Sequence, residues 1–291
     1  MNIKFTYVLL VALLALSCEK IPDTFSEREN SVNINTSWDM ITQEPLPKKC
    51  VVVFRDSAGN YVKSHEIYSP RDIDTLRDGV YTSYSYYVKD GVFSIENIEN
   101  FKETQFVVEA DQNGVIPTQS ELYVSNSSDF DILFFRPSGS VNQTMRAEFT
   151  VVETEVVFVS GSITSGLNAC DVTLNNVFNV YDMYTRSVVK DALKTAKASL
   201  TRTENDKFFG RAYYLGFDPT NGNTLTIDLS TAGGAAGTVR TDMANKLSTF
   251  TQKIRLTIYL YCNTSSVTNG RFPVEIRKVD IEDAETIIVE G

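Results

Sequence analysis

Short apolar runs with a period of two recur from Ser31 to the end of this 291-residue chain, and they restrict it to sheet structures. Val32 and Ile34 alternate with Asn33 and Asn35, and Leu225, Ile227 and Leu229 and later Ile254, Leu256, Ile258 and Leu260 keep the same spacing. Residues two apart on a strand share a face, so this period buries one side of a sheet. Val51-Val52-Val53-Phe54, Phe106-Val107-Val108, Ile132-Leu133-Phe134-Phe135 and Val156-Val157-Phe158-Val159 are continuous apolar runs of strand length. Between the runs stand Ala58-Gly59-Asn60, Asp90-Gly91, Asn113-Gly114, Asn221-Gly222 and Asn269-Gly270, which accept the positive φ of hairpin turns. An all-β protein built from antiparallel hairpins follows. Its length exceeds what one small core needs, which predicts two tandem β-sandwich domains, residues 31–140 and 141–291, divided at Arg136-Pro137-Ser138-Gly139-Ser140. Two segments depart from the pattern. Val188 to Leu200 has helix-forming composition, with Val189, Leu193 and Ala196 at helical spacing, and predicts a short helix or helical turn feeding a strand near Ala196 to Thr201. Gly233-Gly234-Ala235-Ala236-Gly237 reads as a mobile loop, and without a following Lys-Ser/Thr it is no phosphate cradle.

The first 17 residues form an export signal: Lys4 supplies a basic start, Phe5 to Leu16 an apolar run, and Ala15-Leu16-Ser17-Cys18 a small-residue cleavage box. The run is too short for a permanent membrane span. It resembles the lipobox of bacterial lipoproteins, which implies lipidation of Cys18 with palmitate-type acyl chains and a mature chain starting there. Several acyl chains, at about 0.8 kcal/mol per buried methylene, hold a protein on a membrane where one does not. Residues 18–30, rich in Pro22, Asp23, Ser26 and charges, read as a solvated tether. The net charge of −10, with no basic block to offset it, excludes nucleic acid as a partner.

Catalytic chemistry is sparse. His65 is the only histidine, with no nucleophile or metalloprotease signature around it, and reads as a surface strand residue. Asp72/Asp74, Asp129/Asp131 and Glu153/Glu155 are carboxylate pairs at spacing two, which put both groups on one strand face but occur equally on solvated sheets. Asp218-Pro219-Thr220-Asn221-Gly222-Asn223 has calcium-friendly oxygens without EF-hand spacing. Cys50, Cys170 and Cys262 sit near apolar residues, either as buried free thiols or as one bridge and one free thiol, and no CxxC or Cys/His cluster suggests zinc. No cofactor or metal is implied, and the expectation is a non-enzyme. Tyr81, Tyr84, Tyr86 and Tyr87 crowd one segment and could form a stacking platform for a glycan or a protein, or a half-buried sandwich face.

Ser31-Val32-Asn33-Ile34-Asn35-Thr36-Ser37-Trp38-Asp39, the Val51 to Gly59 strand and turn, and Leu76-Arg77-Asp78-Gly79-Val80-Tyr81 follow an order that resembles the fimbrillin-like lipoproteins of Bacteroides-type bacteria. Arg77 stands where those proteins usually carry proline. Ala196 to Leu200, Phe208-Phe209-Gly210 and the strands at Leu225 to Leu229 and Ile254 to Tyr261 fall in the expected sequence, so the likeness covers most of the mature chain. The resemblance implies two transthyretin-like, Greek-key sandwiches on a lipidated tether, placed on the exposed side of the outer membrane. There the protein would serve as a fimbrial anchor, accessory or adhesin-like subunit that meets other cell-surface proteins through β-strands. A glycan-binding lipoprotein of a polysaccharide uptake system is the alternative. Val32 to Ser37 and Glu285 to Glu290 are the edges such contacts would use. Asp56-Ser57-Ala58 and Asp74-Thr75-Leu76 resemble O-glycosylation acceptors of these bacteria, expected in loops.

Overall fold

The computed structural model describes residues 29–39, 41, 46–133, 138–204, 207–218, 220–243, 246–247 and 253–283. Cys18, most of the tether and Glu285–Glu290 lie outside these residues. The first half runs β1 (Asn30–Ser37), β2 (Cys50–Asp56), β3 (Tyr61–Ile67), β4 (Arg71–Leu76), β5 (Gly79–Val88) and β6 (Phe93–Glu96), then β7 (Gln105–Val108), β8 (Val115–Ile116), β9 (Leu122–Ser125), β10 (Ser128–Ile132) and β11 (Ser138–Ala147). The second half continues with β12 (Thr150–Phe158), β13 (Leu167–Phe178), β14 (Val180–Asp182), β15 (Ser187–Val188) and β16 (Leu193–Glu204). It ends with β17 (Lys207–Tyr214), β18 (Thr224–Thr231), β19 (Ala236–Asp242), β20 (Lys253–Cys262) and β21 (Val274–Asp283).

These strands form two tandem β-sandwiches. The first follows the order β3-β2-β5-β9-β11-β1-β4, with β10 also on β5, and the second β19-β18-β13-β16-β17-β12-β20-β21, with β8 on β16. Each path folds over on itself. Val32, Val52, Phe54, Tyr81, Val141 and Met145 fill the first core, and Val156, Leu174, Ile227 and Ile258 belong to the second. In β20 burial alternates without a break, as the sequence period requires. Asn269 and Gly270 both take positive φ, 51° and 72°, as their turn chemistry predicts.

A small third sheet, β15-β14-β7-β6, joins strands from both halves. It lies against the outer side of β2 and β5: Val53, Tyr84 and Tyr86 share one apolar cluster with Phe106 and Val108, and that cluster continues into the second sandwich. With β8 paired to β16 as well, the two sandwiches share a joint rather than a simple linker.

Three expectations are corrected here. The division expected at 140/141 falls inside β11, whose Gly139, Val141, Gln143 and Met145 face inward and which pairs with β1 and β9 of the first sandwich. The chain passes between sandwiches at Glu148 and Phe149. The helical turn expected over Val188 to Leu200 is β15, a turn and β16, because Ala196, Ala198 and Leu200 also satisfy a period of two and the strand is bonded to β13 and β17. The Gly233–Gly237 loop is shorter than expected, since β19 begins at Ala236. Any Cβ on Gly237 would run into Val274 and Phe272 near β21, so glycine there lets the two ends of the second sheet approach.

Candidate functional site

The tyrosine segment does not face solvent. Tyr84 is fully buried, Tyr81 and Tyr86 nearly so, and Tyr87 half-buried. Tyr84 and Tyr86 point into the third sheet, with Tyr86 5.0 Å from Phe106 between ring centroids, while Tyr81 packs in the first core against Phe130 at 5.7 Å. The platform expected from Tyr81, Tyr84, Tyr86 and Tyr87 is thus broken by burial, because β5 is covered on both faces. Burial pushes the Tyr84 and Tyr86 hydroxyls above their ordinary pKa.

Arg55 is the charge buried in this layer, 1% exposed. Its guanidinium donates to the carbonyls of Gly59 and Glu99 at 3.1 Å each, to that of Ile98, and to the Tyr84 hydroxyl at 3.3 Å. It also stacks 5.3 Å over the Phe101 ring. This arginine fastens the β2–β3 turn and the 97–104 loop to the sheet, and nothing in its apolar-run sequence context signalled that role.

Other expected groups resolve into local structure. His65 sits on β3 with Nε2 3.4 Å from Asp72 Oδ2 and Nδ1 3.8 Å from Asp74 Oδ2 on β4, and Lys63 reaches Asp74 at 2.7 Å. These inward-pointing charges close the side of the first sandwich where its sheet path ends, and they disfavour chance pairing of other chains there. Asp129 and Asp131 are exposed on β10, and Asp129 accepts from Thr82 at 2.7 Å. Glu153 lies among Arg211, Lys253 and Arg255 at 2.5, 3.3 and 3.2 Å, while Glu155 lies 3.7 Å from Lys207. Burial raises the Glu153 pKa, but hydrogen bonds from Arg211 and Arg255 outweigh it and hold the carboxyl below its usual value. Asp218 accepts from the Thr220 amide at 2.8 Å, which commits its carboxylate to its own turn and lowers its pKa. Cys50, Cys170 and Cys262 are buried free thiols, pushed up by burial to about 12, 12 and 11. Ser57 is exposed in the β2–β3 turn, whereas Thr75 lies on β4 and not in a loop.

A groove opens where the sandwiches meet. Tyr87, Tyr123 and Tyr213 line a cavity of about 440 Å³, with Lys49, Asp90 and Glu121 also on its walls. Tyr123 is wedged edge-on between Trp38 and Phe149, at 5.6 and 5.1 Å between centroids, and Phe149 meets Tyr213 at 5.5 Å. Tyr213 belongs to β17 of the second sandwich, and its backbone amide and carbonyl bond Thr118 and Ser120 of the first half at 2.9 and 3.2 Å. Tyr68 forms one wall although it is 67% exposed. Its hydroxyl donates to Glu66 at 2.5 Å, Glu66 accepts from Lys49 at 2.9 Å, and Lys49 lies 3.7 Å from Asp90. Burial lifts the Glu121 carboxyl above its usual pKa, with Lys89 opposing. Of the expected tyrosines only Tyr87 reaches this groove.

Open strand edges are the other exposed feature. Among the described residues, β3 and β4 end the first sheet path and β19 and β21 the second. The edge expected at Val32–Ser37 is interior instead, since β1 is bonded to β11 on one side and to β4 on the other.

Two sandwiches joined by a small shared sheet make a fold that recurs among solved structures. Over 88% of this chain and 98% of the other, the fold matches the fimbrial anchor protein Mfa2 from Porphyromonas gingivalis, with a TM-score of 0.52 and 12% identity. It also matches a candidate adhesin from Bacteroides ovatus, over 90% of this chain and 98% of that one, with a TM-score of 0.60 and 11% identity. A third match is a candidate polysaccharide-binding protein from Bacteroides thetaiotaomicron, over 88% and 99% of the two chains, with a TM-score of 0.55 and 10% identity. No protein-family model matches the sequence. No curated protein matches it either. The resemblance to fimbrillin-like proteins is therefore one of fold.

Proposed function

We propose that this protein is a non-catalytic lipoprotein of the outer membrane, a fimbrial anchor, accessory or adhesin-like subunit held by acyl chains on Cys18. The observation that carries the reading is a fold shared over 88% of this chain with a fimbrial anchor protein, in a chain whose sequence opens on a lipobox-like signal. Contact with other cell-surface subunits runs through an open strand edge, where main-chain groups on one side lack partners. The edge we assign is β21. Among the described strands it forms a ladder with β20 alone, its first residue Val274 lying close to Gly237 of β19, and the sequence beyond it, Thr286-Ile287-Ile288-Val289, keeps strand-forming composition. Charges at Glu275, Arg277, Lys278 and Asp280 keep that edge soluble until a matching strand arrives.

Metabolic labelling with an alkyne-bearing palmitate analogue tests the anchor. Label on the protein in the membrane fraction, lost together with membrane retention in Cys18→Ala, is the expected result. An unlabelled protein, or labelled Cys18→Ala, would overturn it.

A further inference from the structure

We propose that the groove between the two sandwiches binds a neutral oligosaccharide. This goes beyond the strand-edge reading and does not depend on it. The volume of about 440 Å³ lies within the range of small-ligand sites, roughly 300–1,000 Å³, and junctions between folded units are where such sites concentrate.

The walls select the ligand. Tyr87 and Tyr123 come from paired strands of the first sandwich and Tyr213 from the second, so the aromatic floor exists only when both units are in place. Tyr68 offers a largely open ring that its bond to Glu66, itself held by Lys49, keeps from swinging freely. An exposed ring fixed in this way costs little further ordering when a ligand stacks on it. Sugar rings present apolar C–H faces to stack on aromatic rings and a rim of hydroxyls for charged side chains to hydrogen-bond.

Two observations set a saccharide above a peptide or a polyanion. The main chain at the groove is already committed, because β5 is bonded to β2 and β9, and β9 to β11, so an extended peptide would find no strand edge to join. The charges balance only with the help of a neighbour: Lys48, Lys49 and Lys89 stand against Asp90 and Glu121, and Glu66, paired with Lys49 at 2.9 Å, offsets the third cation. A ligand with a large net charge of either sign gains nothing there.

The test is isothermal titration of the purified protein with four neutral tetrasaccharides: cellotetraose, mannotetraose, xylotetraose and N-acetylchitotetraose. At least one should bind saturably with a Kd below about 1 mM. Tyr68→Ala and Glu121→Gln should each weaken it about tenfold or more, about 1.4 kcal/mol, while Tyr259→Ala on the outer face of β20 leaves it unchanged. Silence from all four at about 10 mM, binding indifferent to Tyr68→Ala, or tighter binding of a heparin tetrasaccharide or a proline-rich peptide would overturn the proposal. Palmitate labelling of Cys18 does not depend on Tyr68, so failure of one reading leaves the other standing.

Discussion

Strands β5 and β20 carry similar tyrosine-bearing sequences and have opposite fates. In β20, Tyr259 and Tyr261 stay half-buried on an outer face, each beneath a cation, with Lys278 5.6 Å and Arg277 5.3 Å from the ring centroids. Their neighbours Ile258, Leu260 and Cys262 are wholly enclosed. In β5, residues 83 to 86 are all buried, because the third sheet covers the face that a two-layer sandwich would leave wet. A strand in a second layer thus holds the joint between sandwiches, whereas a strand in a single layer offers surface.

The sharpest way to break this contrast is to delete one ring from each strand. Tyr86→Ala should cost about 3–5 kcal/mol in urea unfolding, as for other buried aromatic truncations. Tyr259→Ala should stay within about 1 kcal/mol. Equal losses would mean that β5 is not covered on both faces. Arg55→Met, which keeps the bulk of the side chain but strands the carbonyls of Gly59, Ile98 and Glu99, should cost about 2–4 kcal/mol.

Glu153 gives the counterpart of Arg55 in the second sandwich, a carboxylate itself buried, 3% exposed, whose cationic partners reach water. Glu153→Gln should cost about 1 kcal/mol at neutral pH, since Arg211 and Arg255 remain 44% and 42% exposed and solvent screens the pairs. Its folded pKa is depressed below the unfolded value of about 4.3, so its contribution is complete above that pH and is lost as pH falls through the lower folded value. Unfolding midpoints from pH 7 to pH 3 should therefore fall more steeply for the wild type than for Glu153→Gln. The smallest effect concerns the thiols. With pKa values raised to about 11 or 12 by burial, Cys50, Cys170 and Cys262 should resist a disulfide-exchange reagent at pH 8 and react promptly in denaturant.

What could be read in the sequence follows the same contrast. The period of two gave the right strands where one face is wet, as in β18 and β20, and Asn269-Gly270 gave the right turn. It could not show the burial of Tyr84 and Tyr86, because alternation cannot reveal a third layer whose strands come from residues 93–108 and 180–188, whereas Tyr81 lies in the first core. Val188 to Leu200 misled for a related reason: Lys and Ala favour helix locally, but bonding to strands on both sides outweighs that preference. Arg55 and the ring cluster at Tyr123, Phe149 and Tyr213 left no local signal, since, apart from the Gly59 carbonyl beside Arg55, their partners lie tens of residues away.

The central claim, surface assembly through an open edge of a lipid-held sandwich pair, is tested most directly by photo-crosslinking in living cells. A photoreactive residue replacing Arg277 on β21 should capture other β-sandwich surface subunits, and one replacing Thr173 on β13, which is paired to Lys197 on one side and Thr226 on the other, should not. That capture should vanish when Cys18→Ala releases the protein from the membrane. Equal yields from both positions, or capture that survives Cys18→Ala, would contradict the account.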